Sequence, residues 1–363
     1  MGRHVVFIPG IMGSILKQPS AAGGGAVWHE QVFDSISQLT KNPSLLKLQP
    51  GASILHPGGV MHNATVVRWV WEYGICDDLK NELVNMALLG SQFSYKEYSY
   101  DWRQNLIATA KKFGEWLTQY GFKNDTTTGI QQKEDAPRLA LVCHSMGGLV
   151  AAIALRKGYV NPANVYCLIT IGSPLAGAPA AFRGLYDVGY LPGLEFVERA
   201  INWRLNRRKC YQILLEAFQS FYSSYQLLPP GDFVELYGVG TVNPLSCNSI
   251  PADKRQAALE VHQLLNGIES FLQGYPHLKY LLIYSTNPNS TEVTYYATEN
   301  HVSKTFENVR DRDWDEGDGT VPAKSASLNN SGPCGYPVTG AKHMSMCNDH
   351  RIIQAVKNYL ASA

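Results

Sequence analysis

A serine hydroxyl is a weak nucleophile until a base takes its proton, so a serine that does chemistry must be held out where an imidazole can reach it. Cys143-His144-Ser145-Met146-Gly147-Gly148 has that form. The apolar run from Arg138 to Cys143 reads as a strand, and Gly147 to Lys157 reads as a helix. A strand-to-helix turn this tight needs small residues two before and two after the serine. Gly147 meets the second requirement, and Cys143 stands at the first, where glycine is usual. A serine in an ordinary helix-start loop would give the same short match; the flanking strand and helix favour the catalytic reading. The turn raises the Ser145 hydroxyl clear of the sheet. It also sets the Met146 N–H at the start of the next helix, where amide and helix dipole can hold an oxyanion.

A second oxyanion donor is expected after the first strand. In Phe7-Ile8-Pro9-Gly10-Ile11-Met12-Gly13-Ser14 the two glycines permit a sharp turn that aims the Ile11 N–H at the substrate. The acid is expected after a late strand. Asp318 lies between two glycines in Asp315-Glu316-Gly317-Asp318-Gly319-Thr320-Val321-Pro322 and can present its carboxylate unobstructed; Asp313 and Asp315 are the competitors. Of ten histidines, His343 in Gly340-Ala341-Lys342-His343 is best placed, just ahead of the last helix. His350 falls within that helix and is harder to aim. His144 adjoins the serine, but neighbouring side chains at such a turn point apart, so it is expected to pack or hydrogen-bond nearby. The order Ser145, Asp318, His343 is that of the α/β-hydrolases and not that of the chymotrypsin or subtilisin types.

The elements that must position these groups follow from periodicity. Arg3 to Ile8 reads as a buried strand, Thr65 to Trp69 and Tyr95 to Tyr100 as strands, and Val165 to Ile171 as a continuous apolar strand. Cys76 to Leu89 and Arg103 to Tyr120 have helical spacing. Residues 17–27, with Gly23-Gly24-Gly25, and residues 122–137 read as loops. Strands that alternate with helices and carry near-continuous apolar runs imply a mostly parallel central sheet covered by helices on both faces. From 177 to 275 no comparable strand appears. An insertion of about 100 residues is too long for an ordinary loop and is expected to be a helical cap over the sheet's active edge. A long helical pattern covers Ala252 to Leu272, strand signals return over residues 278–285, a hairpin partner is expected at Val293 to Ala297, and a last helix at Met346 to Leu360. The expected organisation is a first core part over 1–176, a cap over 177–275, and a second core part over 276–363.

Apolar residues at 45% supply ample core, and 31 Lys and Arg against 30 Asp and Glu argue against nucleic acid as a partner, because that binding is driven by phosphate neutralisation. The 363 residues contain no uninterrupted apolar segment of ~18 residues and no secretion signal, so the expectation is a cytoplasmic or membrane-peripheral chain. The seven cysteines show no CxxC pair and are expected to be mostly reduced; the histidines show no HExxH spacing, and neither metal nor cofactor is expected.

The chain resembles the lecithin:cholesterol acyltransferase-like family of α/β-hydrolases. The resemblance rests on Ile8-Pro9-Gly10-Ile11-Met12-Gly13-Ser14, Tyr100-Asp101-Trp102-Arg103, His144-Ser145-Met146-Gly147-Gly148, Gly172-Ser173-Pro174-Leu175-Ala176-Gly177, Leu227-Leu228-Pro229 and Gly317-Asp318-Gly319-Thr320-Val321-Pro322, in that order along nearly the whole chain. It implies Ser145 as nucleophile, Asp318 as acid, His343 as base and the Ile11 and Met146 amides as oxyanion donors. It further implies a flexible lid over residues 14–30 near Trp28. The departures from the family pattern are Cys143 and a cap sequence that does not align. Trp203 and Tyr211 in the cap, with Trp28, are the expected substrate contacts, and Arg204, Arg207 and Arg208 could meet a membrane surface. The expected activity is hydrolysis of carboxylic esters, of lipids above all. The alternatives are acyl transfer to a lipid or alcohol hydroxyl, and an inactive fold that binds lipid or protein. Asp101 and Arg103 are expected either to pair structurally or to contact substrate.

Overall fold

The computed structural model describes residues 3–19, 24–48, 55–67, 71–89, 93–119, 138–188, 190, 207–329 and 334–362. Its centre is a six-stranded sheet built from β1 (Arg3–Ile8), β2 (Phe93–Glu97), β3 (Arg138–His144), β4 (Val165–Ile171), β5 (Lys279–Ser285) and β6 (Gly335–Val338). The spatial order is β6-β5-β4-β3-β1-β2, and every neighbouring pair is parallel. Parallel strands need crossovers that cover both faces, which is why β3 and β4 carry apolar residues on both sides and are buried from Leu139 to His144 and from Val165 to Ile171. This is the α/β-hydrolase fold.

Helix α1 (Leu106–Thr118) begins at Asn105, whose side chain accepts from the Ile107 N–H as an N-cap. Helix α2 (Met146–Arg156) is apolar all round, and every residue from Met146 to Leu155 is buried. It lies against β3 on one side, and α1 and the helix Ala252–Leu265 cover it on others, so it has no solvent face to mark with charge. The residues 14–30 expected to form a loop or lid include two strands. Ser14–Lys17 pairs antiparallel with Ala26–Trp28 and with His56–Val60, and Leu16, Val27 and Trp28 are fully buried. Alternating small and apolar residues make this a packed sheet despite the glycines. Residues 20–23 and 120–137 lie outside the described part.

Helix α3 (Ala180–Tyr186) opens the region between β4 and β5, followed by α4 (Arg207–Ser220) and α5 (Tyr222–Gln226). The single helix expected from Ala252 to Leu272 is two, Ala252–Leu265 and Ile268–Gln273. Gly267 separates them at φ +67°, a left-handed turn that a continuous helix cannot contain. The hairpin is far longer than the five residues Val293 to Ala297: Asn287–Asn300 pairs with Thr305–Gly317, and the short strands Val234–Leu236 and Gly240–Val242 extend it into a second sheet. Much of it is polar on both faces, which hides its period from sequence. Arg183 on α3 pins this hairpin, bonding Glu292 and Asp311 at 2.8 Å each while pairing with Asp187 just past the end of its own helix. The last helix starts at His350, after a 3₁₀ segment His343–Asn348.

Candidate active site

Ser145 sits between β3 and α2 with φ +53° and ψ −128°, a conformation that costs a non-glycine residue about 1–3 kcal/mol and is held by its surroundings. Its N–H donates to the Ile171 carbonyl at 2.9 Å, tying the turn to the end of β4. The need for glycine at 147 is steric: a Cβ there would lie 2.2 Å from the Ile8 carbonyl oxygen. Cys143 is fully buried in β3, and its thiol fits the position that glycine usually takes. Burial raises its pKa well above the ordinary thiol value.

His343 and Asp318 come to Ser145 from 198 and 173 residues away in sequence terms that only the sheet reconciles: β5 ends, the long hairpin runs out and back, and Gly317 returns beside it. There Asp318 accepts from the Thr320 N–H at 2.9 Å and the Val321 N–H at 2.7 Å through Oδ1. The other oxygen, Oδ2, lies 2.7 Å from His343 Nδ1. The Asp318 carbonyl also accepts from the His343 N–H at 2.9 Å, so the two residues are joined by backbone and side chain. His343 Nε2 is 2.9 Å from Ser145 Oγ. A carboxylate only accepts, so Nδ1 carries the proton and Nε2 is free to accept from the Ser145 hydroxyl. All three residues are buried. Asp315 instead pairs with Lys324 at 2.8 Å and Asp313 accepts from Thr294 at 2.6 Å, so neither competitor reaches the histidine.

His144 turns away from Ser145. Its Nε2 lies 3.1 Å from the His343 carbonyl, an acceptor, so Nε2 donates. Burial, with the His343 ring 5.1 Å away, lowers its pKa to about 3 and keeps it neutral.

The Pro9–Ser14 loop faces the serine from the other side. A Cβ on Gly10 would lie 2.7 Å from Ser145 Cβ, which measures how close this backbone comes. Its carbonyls are gripped from behind. Tyr100 Oη donates to Pro9 O at 2.8 Å, Trp28 Nε1 to Met12 O at 2.9 Å, and Trp102 Nε1 to Ser14 O at 2.9 Å. The Met61 N–H donates to Gly13 O at 2.9 Å. Among the described residues, no backbone acceptor takes the Ile11 or the Met146 N–H.

Of the substrate contacts expected from sequence, Trp28 and Tyr211 do not line the cavity beside Ser145. Trp28 is fully buried behind the Pro9–Ser14 loop, where its indole serves that loop. Tyr211 is buried in α4 and does not line the cavity beside Ser145. Trp203 and Arg204 lie outside the described residues. Arg103 is buried against Asp101, bonding it through Nε and Nη2 at 2.8 Å each and donating to Leu46 O, which is a structural arrangement and not a substrate contact. The residues that do line the cavity include Ile75, Ala178, Ala181, Leu185, Phe218 and Leu227. Several are small or aliphatic and carried no sequence signal beyond ordinary core pattern. Among the described residues, no cluster of three or more His, Cys, Asp or Glu could hold a metal, and no helix is long and apolar enough to cross a membrane. The seven cysteines are free.

Residues 1–190, more than half of the chain, match the family described as PGAP1-like alpha/beta domain. The chain belongs to that family. Among curated proteins it is similar to lecithin-cholesterol acyltransferase-like 4 of Arabidopsis thaliana, with 24% identity over 306 residues, covering 72% of this chain and 54% of that protein. The chain thus spans about half the length of that relative. Among solved structures, the Tle4 and Tli4 complex contains a chain that overlays with a TM-score of 0.58 at 13% identity, covering 99% of this chain and 98% of that one. The mature lipase BlEst2 of Bacillus licheniformis gives a TM-score of 0.40 at 12% identity over 99% and 92%. The family match and the overlay on the Tle4–Tli4 chain agree with the fold described above, and the Arabidopsis relative agrees with the acyltransferase-like resemblance.

Proposed function

We propose that the protein is a serine hydrolase of carboxylic esters, lipid esters foremost, acting through an acyl-enzyme on Ser145. The observation that carries this is the unbroken chain Ser145 Oγ, His343 Nε2, His343 Nδ1, Asp318 Oδ2, with contacts of 2.9 and 2.7 Å. His343 accepts the Ser145 proton as Oγ attacks the ester carbonyl. Asp318 holds the imidazole in the tautomer that leaves Nε2 free and stabilises the imidazolium that forms. The Ile11 and Met146 N–H groups receive the oxyanion, the second with the dipole of α2 behind it. His343 then gives its proton to the leaving alcohol, and water, activated by the same histidine, releases the acid. The cap reading of residues 177–275 is supported by α4 and α5, which carry Phe218 and Ser224 on the cavity wall beside Ser145. The apolar lining suits an acyl chain.

The test is turnover of p-nitrophenyl esters of graded chain length together with fluorophosphonate labelling. Wild type is expected to hydrolyse them and to be labelled on Ser145, and Ser145→Ala to do neither. Turnover by Ser145→Ala at the wild-type rate refutes the assignment. The curated relative's acyltransferase-like name favours a second reading, acyl transfer to an alcohol. Product analysis with and without an added alcohol separates the two, and free acid as the sole product in both refutes transfer.

A further inference from the structure

The cavity at Ser145 is apolar along most of its wall, and among the described residues no Lys, Arg, Asp or Glu lines it. A charged group entering it would find no counter-ion, and burying an unpaired charge is prohibitive. Two side chains break the apolar lining apart from Ser145 and the two histidines at its base. Ser224, on α5, is 4% exposed, and its hydroxyl has no hydrogen-bond partner among the described residues. The hydroxyl of Thr320 is likewise buried and unpartnered, although the Thr320 N–H is engaged by Asp318. Buried hydroxyls are normally paired, so an unpaired one on a cavity wall is completed by a water or by a polar atom of a bound substrate. These two come from different elements, α5 and the Asp318 loop, and meet on one cavity. Both can donate and accept, and neither carries charge.

We propose that Ser224 and Thr320 form a polar subsite for a second, uncharged oxygen function on the substrate, a hydroxyl or a carbonyl, so that the preferred substrate is a neutral ester with oxygen at two places. This rests on Ser145 being the nucleophile. The apolar wall receives the hydrocarbon, Ser145 attacks the ester, and the two hydroxyls pair with the second oxygen. A substrate without that oxygen leaves the hydroxyls unpaired after water has been displaced, and so loses rate at low concentration. Charged headgroups stay outside the cavity.

The experiment compares kcat/KM for matched esters. One arm uses p-nitrophenyl alkanoates against equal-length esters bearing a hydroxyl or keto group at successive carbons. The other uses fatty esters of a simple alkanol against those of a diol. The arms distinguish an oxygen on the acyl chain from one on the alcohol. Wild type is expected to favour an oxygenated partner by about tenfold at one position in one arm. Ser224→Ala is expected to lose most of that preference, read as the ratio of kcat/KM for the oxygenated and plain esters within the one variant, and Ser224→Thr to keep it. Equal rates for plain and oxygenated esters in both arms, or a preference undiminished in Ser224→Ala, overturn the proposal. Absence of all turnover, with no fluorophosphonate label on Ser145, refutes the hydrolase reading instead. The subsite is then read from thermal shifts with a long-chain ketone against the matched alkane: a ketone advantage in wild type that Ser224→Ala abolishes supports it, and equal shifts overturn it.

Discussion

His144 makes this protein sensitive to acid, through a residue that does not touch the reacting atoms. In the native state burial lowers its pKa from 6.5 to about 3. Unfolded, it titrates near 6.5. Between those values the unfolded chain binds a proton that the native chain does not, so stability rises with pH across the window and is fully present above 6.5. As pH falls from 6.5 towards 3 that contribution is lost. The ceiling is about 5 kcal/mol, and at pH 4.5 the loss is about 3 kcal/mol, a large share of the ~5–15 kcal/mol that holds a domain together. His144→Asn removes the titration and retains an amide that can donate towards the His343 carbonyl. The variant is expected to be about 1–2 kcal/mol less stable at pH 7.5, from lost packing and a weaker bond, yet to lose less on acidification, so that the two curves cross between about pH 5 and 6 and the variant is the more stable by about 1–2 kcal/mol at pH 4.5. Guanidinium unfolding followed by tryptophan fluorescence at pH 7.5, 6.0, 5.2 and 4.5 reads this. Burial also lowers the pKa of His4 and His262, but both proteins retain them and their effect cancels in the difference. Parallel curves for wild type and variant over this range refute the reasoning.

Four further outcomes are expected. Asp318→Asn reverses the partner that Oδ2 offers to His343 Nδ1 and is expected to lower kcat by roughly 10³–10⁴-fold, with fold retained by circular dichroism and ester hydrolysis as the assay. Gly172→Ala is expected to lower kcat and stability together, because Gly172 sits at φ +57° and a Cβ there would lie 3.0 Å from Asp318 Oδ2 and 3.3 Å from His343 Nδ1; unchanged kinetics would contradict the geometry. Trp102→Phe keeps an aromatic ring but strips Ser14 O of its donor, so it is expected to cost about 1–3 kcal/mol in denaturant unfolding and to lower kcat more than it changes KM. Arg103→Met leaves the partly buried Asp101 carboxylate with Gln104 but no cation and Leu46 O without its donor, and a loss of about 2–4 kcal/mol in the same unfolding assay is expected.

The strand-turn-helix around Ser145 was legible because the constraint is local. An apolar run, a sharp turn and a helix start all lie within one short stretch, and Gly147 is required by the approach of the Ile8 carbonyl across the turn. Asp318 and His343 were legible for a related reason: a glycine-bracketed acid and a histidine before the last helix follow from chain order. The strands Arg3–Ile8, Arg138–His144, Val165–Ile171 and Lys279–Ser285 appeared as apolar runs because a parallel sheet buries both faces. Of the long hairpin only Val293 to Ala297 was legible, since the rest of Asn287–Asn300 and most of Thr305–Gly317 is polar and offers no period to read. Residues 17–27 misled because glycines suggested a loop, while Val27 packs into the core and Lys17 and Ala26 belong to paired strands.

Sequence by itself thus determined the chemistry-bearing residue types, their order and the sheet that carries them, because those depend on neighbours along the chain. Which partner each side chain takes was decided only by the tertiary structure. Trp28 is an aromatic residue near an expected lid in one dimension; in three it donates to Met12 O and steadies the loop facing Ser145. Arg103 is a charge in a motif until the fold closes Asp101 and Leu46 around it. Ser224 is an unremarked helix serine until α5 sets it on the wall of the Ser145 cavity with no hydroxyl partner among the described residues. Hydrogen bonds and burial between distant segments depend on distances of a few ångströms that residue spacing does not encode, and the assignment of the wall, the grip on the loop and the polar subsite rests on those distances.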